Sequence, residues 1–251
     1  MNIFQNKFDI IILSLAINHE TFLKTKYCID SYINTADDII NNIYVIESNP
    51  NFKEDYKQNK VEVIIPNEEF NYNKFYNIGL SKCRSEFIAG PNNDLLIKPN
   101  CLQTILKEFN DNPDVSSISP IDRNWPRHNS VYFPNDNKLY YGYEVTLHLY
   151  GCMIACRRSV FEQIGYLDEQ FYFFYQDNDY SMCLQRNNLK HGIHTGAHIT
   201  HQSGGTDSFA PAKFKYLPEN MQTQLKIFQN KWGNTAPFNA GGFQKFKEYS
   251  L

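Results

Sequence analysis

The sequence predicts an α/β fold in which a central, mostly parallel sheet is flanked by helices. Short apolar segments rich in β-branched residues predict buried strands, at residues 8–15, 43–50, 61–66 and 86–90. Segments with apolar residues at helical spacing predict helices, at residues 21–32, 75–81 and 99–110. This alternation of strands and helices is typical of a doubly wound sheet within one domain.

The composition limits the classes of function. The chain has 251 residues and a net charge of −3, so it lacks the basic excess of a nucleic-acid-binding surface and no nucleic-acid partner is expected. No apolar run is long enough to span a bilayer, and residues 1–9 lack the profile of a signal peptide, so a cytoplasmic location is expected. The six cysteines form no Cys-x-x-Cys pair, which argues against zinc-ribbon and redox sites.

The second half of the chain is less regular. Residues 119–143 are rich in Pro, Asn and Tyr, and we interpret them as a loop that shapes one side of a binding site. An apolar strand is predicted at residues 147–156, with Gly151 inside it, and a short helix at residues 157–164. From Asp179 the pattern becomes helical again.

The end of the chain contains an amphipathic helix, predicted at residues 218–232, that is expected to pack back on the sheet domain. The chain is therefore predicted to consist of a sheet domain at residues 1–210 and a C-terminal helical extension at residues 211–251.

Polar residues follow three of the predicted strands: Asn18, Glu47 and the run 92–94. In an open parallel sheet the ligand lies beyond the carboxyl ends of the strands. These residues are therefore expected to face one crevice.

The run Asn92, Asn93 and Asp94 directly follows a buried strand. A carboxylate at this position can hold Mg²⁺ or Mn²⁺ against a diphosphate, because hard cations prefer oxygen ligands. An ordinary Asn/Asp turn explains the same residues equally well.

The run from Gln176 to Asp179 precedes a helix. Acidic residues at a helix N-terminus are favourable by capping and by the helix dipole, and this explanation suits Asp179. Asp177 follows a run of aromatic residues that can form a dry pocket, which is a setting that tunes a carboxylate for general-base catalysis.

Four histidines lie close together near the end of the predicted domain: His191, His194, His198 and His201. Their spacing does not match a zinc finger, and strand alternation predicts that they face two sides, so a four-histidine metal site is not expected. His201 leads a glycine-rich stretch, 202–206, that allows close backbone approach to a ligand or forms a turn.

Taken in order, these segments resemble a family 2 glycosyltransferase with the GT-A fold, over residues 9–232. The most specific match is residues 151–179, which hold a glycine, an apolar strand, a basic helix start, a second glycine, then Asp-Glu and aromatic residues before an acidic pair. Rhamnosyltransferase-like members are the most similar.

The resemblance implies roles for three residues. Asp94 matches the metal-binding aspartate of an Asp-x-Asp-type motif, in which Asn92 replaces the first acid. His201 matches the histidine that completes the metal site. Asp177 matches the catalytic base of the family's Glu-Asp pair, in which Gln176 replaces the first acid.

Other positions match the family's donor site. Glu47 corresponds to an acid that contacts the nucleobase or ribose, and Asn77 to an asparagine of the donor-binding region. Asn92 and Asn93 are assigned to the donor site with Asp94. Lys231 and Trp232 resemble a common ending of the last helix and are expected to be structural.

The implied reaction is transfer of a sugar from a nucleotide-sugar donor to a saccharide or other hydroxyl acceptor, with inversion. A divalent cation, Mn²⁺ or Mg²⁺, would neutralise the leaving diphosphate, and Asp177 would take the proton of the acceptor hydroxyl.

Two alternatives stay open. The amides at Asn92 and Gln176 are compatible with an inactive domain that binds sugar or nucleotide. A sugar nucleotidyltransferase is disfavoured, because residues 15–22 contain no glycine for a phosphate loop.

Overall fold

A computed structural model describes residues 4–202 and 218–233. The strands are β1 (Phe4–Ser14), β2 (Ile40–Glu47), β3 (Val61–Ile64), β4 (Ser85–Pro91), β5 (Leu95–Ile97), β6 (Val115–Ile121), β7 (Leu139–Tyr141), β8 (Met153–Arg157) and β9 (Lys190–His201). The α-helices are α1 (His19–Ala36), α2 (Tyr72–Lys82), α3 (Cys101–Asp111), α4 (Ser159–Ile164), α5 (Gln176–Arg186) and α6 (Pro218–Trp232). None of these helices is both long and apolar enough to cross a membrane.

The strands form one sheet in the order β3-β2-β1-β4-β8-β6-β9-β5, and β7 also pairs with β9. Strands β1, β2, β3, β4, β6 and β9 run in one direction, whereas β5, β7 and β8 run in the other. The predicted α/β class with a mostly parallel central sheet is therefore confirmed.

Strand β1 explains why helices cover both faces of the sheet. Its residues Ile10, Ile11 and Ile12 are fully buried, and successive side chains of a strand point to opposite faces. Ile10 and Ile12 pack in a cluster with apolar residues of α1 and α3. Ile11 packs in a second cluster with apolar residues of α2, α4 and α5. The continuous apolar run is thus the signature of a strand that is buried on both sides.

Helix α1 begins at the polar turn after β1. The Asn18 side chain accepts a hydrogen bond from the Thr21 backbone N–H at 2.9 Å, and the Thr21 hydroxyl accepts one from the Asn18 backbone N–H at 3.2 Å. This reciprocal cap satisfies backbone donors that a helix start leaves unpaired. Asn18 therefore caps α1.

Three boundaries differ from the predictions. The region 119–143 is not wholly irregular, because it contains the end of β6 and all of β7, a three-residue strand too short to stand out in a polar sequence. Strand β8 begins after Gly151, because residues 151 and 152 form a turn. Helix α5 begins at Gln176, because Tyr175 adopts a left-handed conformation and its carbonyl already accepts the Asp179 N–H at 2.8 Å.

Helix α6 lies against the chain segment that leads into α5. Phe228 is fully buried, and its ring lies 6.4 Å from that of Phe171 and 6.1 Å from that of Tyr175. The proposed boundary between residues 1–210 and 211–251 falls outside the described residues and stays a prediction.

Candidate active site

Sheet pairing brings Asp94 and His201 together. Asp94 lies in the turn between β4 and β5, and β5 pairs with β9 so that Leu95 is opposite His201. The Asp94 Oδ1 atom is 3.0 Å from the His201 Nε2 atom, and the Gln202 N–H donates to the Asp94 carbonyl at 2.9 Å. The antiparallel pairing therefore joins two side chains that are more than 100 residues apart in sequence.

The charge state of His201 depends on its neighbours. Burial lowers its pKa, but the hydrogen bonds and charges of Asp94 and Cys152 outweigh this effect and raise the pKa to about 10. Asp122, a buried residue that follows β6 and was not singled out in the sequence, accepts the His201 backbone N–H at 3.2 Å. The Asp94 carboxylate therefore favours the protonated form of His201.

The side chains of Asp94 and His201 have the chemistry to hold a hard divalent cation. A carboxylate oxygen and an imidazole nitrogen about 3 Å apart are near enough to contact one ion, and Mn²⁺ or Mg²⁺ takes its further ligands from phosphate and water. Residues 4–202 and 218–233 contain no group of three or more His, Cys, Asp or Glu that could hold a metal. Asp94 and His201 are therefore two candidate ligands, and a metal-binding role for them stays a prediction.

The other predicted histidines make different contacts. His191 is fully buried, with Nδ1 2.9 Å from the Ser117 hydroxyl, and burial lowers its pKa to about 3. His194 Nε2 lies 3.3 Å from a Glu108 carboxylate oxygen. Residues 203–206 of the glycine-rich stretch lie outside the described part of the chain.

Asn92 and Asn93 hold the turn before Asp94 from two sides. The Asn92 backbone N–H donates to the Cys152 carbonyl at 2.8 Å, and the Asn92 Nδ2 atom lies 3.4 Å from His201 Nε2. The Asn93 Nδ2 atom donates to the Thr25 hydroxyl at 3.0 Å. The Asn92–Asp94 turn is therefore tied both to the candidate metal pair and to helix α1.

A chain of buried hydroxyl groups extends from Asn93 to Glu47. The Thr25 and Ser14 hydroxyls are 2.9 Å apart, those of Ser14 and Tyr56 are 3.0 Å apart, and Tyr56 donates to Glu47 Oε2 at 3.4 Å. An ionised carboxylate only accepts, so each hydroxyl in this chain can donate toward Glu47 and accept from the side of Asn93.

Glu47 itself is fully buried at the end of β2. Its Oε1 atom accepts hydrogen bonds from the backbone N–H groups of Ala16 and Asn49 at 3.0 and 2.8 Å, and its Oε2 atom accepts one from the Tyr56 hydroxyl. The structure thus places Glu47 in the network that shapes the carboxyl edge of the sheet. Its contact with a nucleobase or ribose stays a prediction.

Asp177 lies in the first turn of α5 and lines a cavity together with Tyr72, Asn73 and Gln176. It keeps part of its surface open, and burial raises its pKa to about 6. A methyl group on Gly151 would overlap the Asp177 carboxylate. The glycine therefore makes room for the side chain that the sequence predicts to be the base.

The turn of Gly151 and Cys152 lies between the two halves of the site. Gly151 contacts Asp177, whereas the Cys152 carbonyl accepts the Asn92 N–H and its sulfur contributes to the raised pKa of His201. Asp177, the candidate base, thus lies beside Gly151. The candidate metal pair, Asp94 and His201, lies beside Cys152, the next residue of the same turn.

Asn77 joins helix α2 to the segment before α5. Its Nδ2 donates to the Leu167 carbonyl at 2.9 Å and to Glu169 at 3.2 Å, and its Oδ1 accepts the Leu167 N–H at 2.9 Å. These bonds hold one wall of the Asp177 cavity. A direct role of Asn77 in donor binding stays a prediction.

Helix α6 holds the same segment from the other side. Lys231 Nζ lies 2.8 Å from Asp168 Oδ2 and 2.9 Å from Asp179 Oδ1, and Trp232 Nε1 donates to Asp179 at 2.7 Å. The buried Gln224 side chain accepts the Tyr172 N–H at 3.0 Å. The sequence contains no local signal for these contacts, because they join residues about 50 positions apart.

Comparison with known proteins adds a family and a fold. The family model described as glycosyl transferase family 2 matches residues 24–165, which is more than half of the chain. No curated protein matches the sequence.

Two solved structures share the architecture at low sequence identity. The structure of GalNAc-T7 with UDP, GalNAc and Mn²⁺ gives a TM-score of 0.67 at 11% identity, over 89% of this chain and 48% of that chain. The structure of S. aureus TarS 1-349 gives a TM-score of 0.53 at 12% identity, over 75% of this chain and 57% of that chain. This chain therefore spans about half the length of either protein chain, and the likeness shows the GT-A fold.

Proposed function

The chain belongs to glycosyl transferase family 2, and from that premise we propose that it moves a sugar from a nucleotide-diphosphate sugar to an acceptor hydroxyl, with inversion. The observation that carries the proposal is the position of Asp177 and the Asp94–His201 pair around one turn, Gly151 and Cys152. A base on one side and a phosphate-binding edge on the other are the two parts that such a displacement needs.

The donor is assigned to the edge formed by Glu47 and the Asn92–Asp94 turn, and Asn77, which holds a wall of the neighbouring cavity, is proposed as a further donor contact. Asp94 and His201 would hold a divalent cation, which supplies charge neutralisation to the diphosphate when bound. His201 would have to be neutral to coordinate a cation, so metal binding would be expected to release a proton from it. The GalNAc-T7 structure, which contains UDP and Mn²⁺ in the same fold, supports this assignment.

Asp177 is assigned as the general base. A pKa of about 6 leaves the carboxylate ionised at neutral pH and makes it a better proton acceptor than an exposed aspartate. In the proposed reaction it accepts the proton of the acceptor hydroxyl as the oxygen attacks the anomeric carbon. Attack from the face opposite the leaving nucleotide inverts the configuration of that carbon.

A thermal-shift screen of UDP, GDP, dTDP and CMP, each with and without Mn²⁺, tests the donor assignment. Binding to the folded state raises the melting temperature by mass action. We expect one nucleotide to give a shift that requires Mn²⁺, and Asp94→Ala to abolish it. Asp38→Ala, which changes an exposed aspartate in the turn before β2, is the matched control.

The alternative outcomes separate the competing hypotheses. A metal-independent shift that Asp94→Ala leaves unchanged would reject Asp94 as a cation ligand. A normal shift without any hydrolysis or transfer of the corresponding nucleotide-sugar would favour an inactive binding domain.

A further inference from the structure

The Asp177 carboxylate is not held by hydrogen bonds of its own. It has no hydrogen bond or ion pair among the described residues, and burial is the only cause of its raised pKa. Its direction is therefore set by the position of helix α5 and by the contact with Gly151. The residues that fix α5 on the sheet thus decide where the proposed base points.

Tyr180 joins the same face of α5 to the sheet. It lies three positions after Asp177, and residues three apart are neighbours on one face of a helix. The Tyr180 hydroxyl donates to the Ser117 hydroxyl of β6 at 3.2 Å. Ser117 is opposite Cys156 of β8 in the sheet, and the Tyr180 hydroxyl interacts with that thiol as well. The face of α5 that carries Asp177 is therefore attached to two neighbouring strands.

The hydrogen bonds beyond Ser117 have one possible direction. His191 Nε2 lies 3.1 Å from the His148 carbonyl oxygen, which only accepts, so Nε2 carries the proton. Burial lowers the pKa of His191 to about 3, so the ring is neutral and its Nδ1 atom can only accept. The Ser117 hydroxyl, 2.9 Å away, must then donate to Nδ1 and accept from Tyr180.

Tyr180, Ser117 and His191 thus form a relay in which every hydrogen bond has a donor and an acceptor. Ser117 and His191 are fully buried, and Tyr180 is nearly so. Removing the middle member leaves buried polar atoms without a partner, which is unfavourable. A buried network that is fully satisfied favours a single arrangement of its members. The relay therefore holds Tyr180, and with it α5, in one position on the sheet.

We propose that Ser117 and His191 are positioning residues for Asp177, and that they act through Tyr180 to fix the rotation of α5. The proposal rests on the proposed function and deepens it, because it names residues that direct the base without touching the reacting atoms. In it, the relay keeps the carboxylate in its desolvated position beside Gly151.

A double-mutant cycle measures this coupling without a transfer assay. Asp177 is an anion without a partner in a buried position, so Asp177→Asn should raise the folding equilibrium constant at pH 7.5. In Ser117→Ala, α5 can shift and Asp177 can reach water, so we expect the gain from Asp177→Asn to be at least about threefold smaller. Urea unfolding of the four proteins measures both gains. If the two substitutions have additive effects, Ser117 is structural only and the proposal is overturned.

Two further variants control the cycle. Ser14→Ala removes another buried hydroxyl with two partners, those of Thr25 and Tyr56 on the donor edge, and we expect it to leave the gain from Asp177→Asn unchanged. Tyr180→Phe removes the bond between α5 and the relay, should reduce the gain as Ser117→Ala does, and replaces that variant if it does not fold. An undiminished gain in Tyr180→Phe, or an equal reduction in Ser14→Ala, would overturn the proposal.

Transfer kinetics with the identified donor give a second measurement. A misdirected base impairs the chemical step alone, so we expect Ser117→Ala to lower kcat about tenfold and to leave the donor KM unchanged. An unchanged kcat, or transfer without coupling in the cycle, would overturn the positioning role and leave the proposed function intact. Coupling in the cycle without transfer or a nucleotide shift would reject the proposed function and retain the effect of the relay on Asp177.

Discussion

The two sides of the Gly151–Cys152 turn differ in how their buried polar groups are paired. On the donor edge, Glu47 receives two backbone N–H groups and a tyrosine hydroxyl. On the cavity side, the oxygens of Asn73 and Gln176 receive no donor from the described residues. The donor edge is therefore organised by hydrogen bonds within the protein, whereas the cavity side keeps two buried acceptors that have no partner among the described residues.

Helix α5 shows the same contrast within one turn. Asp177 and Asp179 are two positions apart, which places them on roughly opposite faces of the helix. Asp177 faces the cavity, whereas Asp179 is bonded to Lys231 and Trp232 of α6. The two carboxylates of α5 thus differ in pairing, and the one without a partner cation is the proposed base.

The largest expected effect comes from Asp177→Asn, which removes the proposed base but keeps its shape. We expect kcat to fall roughly 10³-fold, which lies within the range for general-base catalysis and corresponds to about 4 kcal/mol. In the wild type, kcat/KM should fall about tenfold per pH unit below pH 6, because the base must be ionised and its pKa is about 6. Initial-rate measurements from pH 4.5 to 8 with the identified donor check both effects.

The stability of the same variant is its control. Burial raises the pKa of Asp177 above the ordinary aspartate value, so ionisation in the folded state destabilises the protein as pH rises from about 4 to about 6. Asp177→Asn should therefore be more stable than the wild type at pH 7.5, by roughly 1–3 kcal/mol, and equally stable at pH 4. A stable variant with near-normal transfer would reassign the base.

The next largest effect is expected from removing Lys231, the cation that pairs with Asp179 of α5. Lys231→Met keeps the aliphatic stem but leaves Asp168 and the buried Asp179 without their cation, so we expect a loss of roughly 2–3 kcal/mol in the free energy of unfolding. Lys226→Met, on the exposed side of α6, should change it by less than about 0.5 kcal/mol. Urea unfolding of both variants measures the difference. Similar stability of the two variants would show that α6 does not anchor α5.

The sequence predicts the sheet better than the site, for physical reasons. Ile10, Ile11 and Ile12 form an apolar run that is visible locally, because a strand buried on both faces needs consecutive apolar residues. The Asp94–His201 contact depends on the pairing of β5 with β9, and β5 has only three residues. Such a pairing leaves no pattern in the sequence. His201 was singled out because it leads the glycine-rich stretch, and its metal-binding role came from the family resemblance.

The buried partners were less predictable still. Thr25 and Tyr56 lie in an ordinary amphipathic helix and in a loop, and nothing in their local sequence shows that their hydroxyls join Asn93 to Glu47. Lys231 and Trp232 were expected to be structural, but their partner Asp179 follows from the three-dimensional packing alone. The predicted start of α5 at Asp179 was wrong because Tyr175 adopts a left-handed conformation that a tyrosine rarely takes.

The smallest effect tests whether the donor edge is organised by its hydroxyl chain. Thr25→Val keeps the shape of a fully buried side chain but removes the hydroxyl between Asn93 and Ser14. We expect a loss of about 1–2 kcal/mol in the free energy of unfolding, because two buried groups lose a partner. Since Asn93 is next to Asp94, the Mn²⁺-dependent nucleotide shift should also decrease.

The matched control lies on the same helix. Thr35→Val removes a hydroxyl that donates to the Ser31 carbonyl one turn earlier and has no other partner among the described residues, so its effect on stability should be within about 0.5 kcal/mol. Urea unfolding and the nucleotide thermal shift are measured on both variants. If Thr25→Val behaves like Thr35→Val in both measurements, the hydroxyl chain does not hold the Asn92–Asp94 turn. The order of the donor edge would then have to come from its other hydrogen bonds or from a bound ligand.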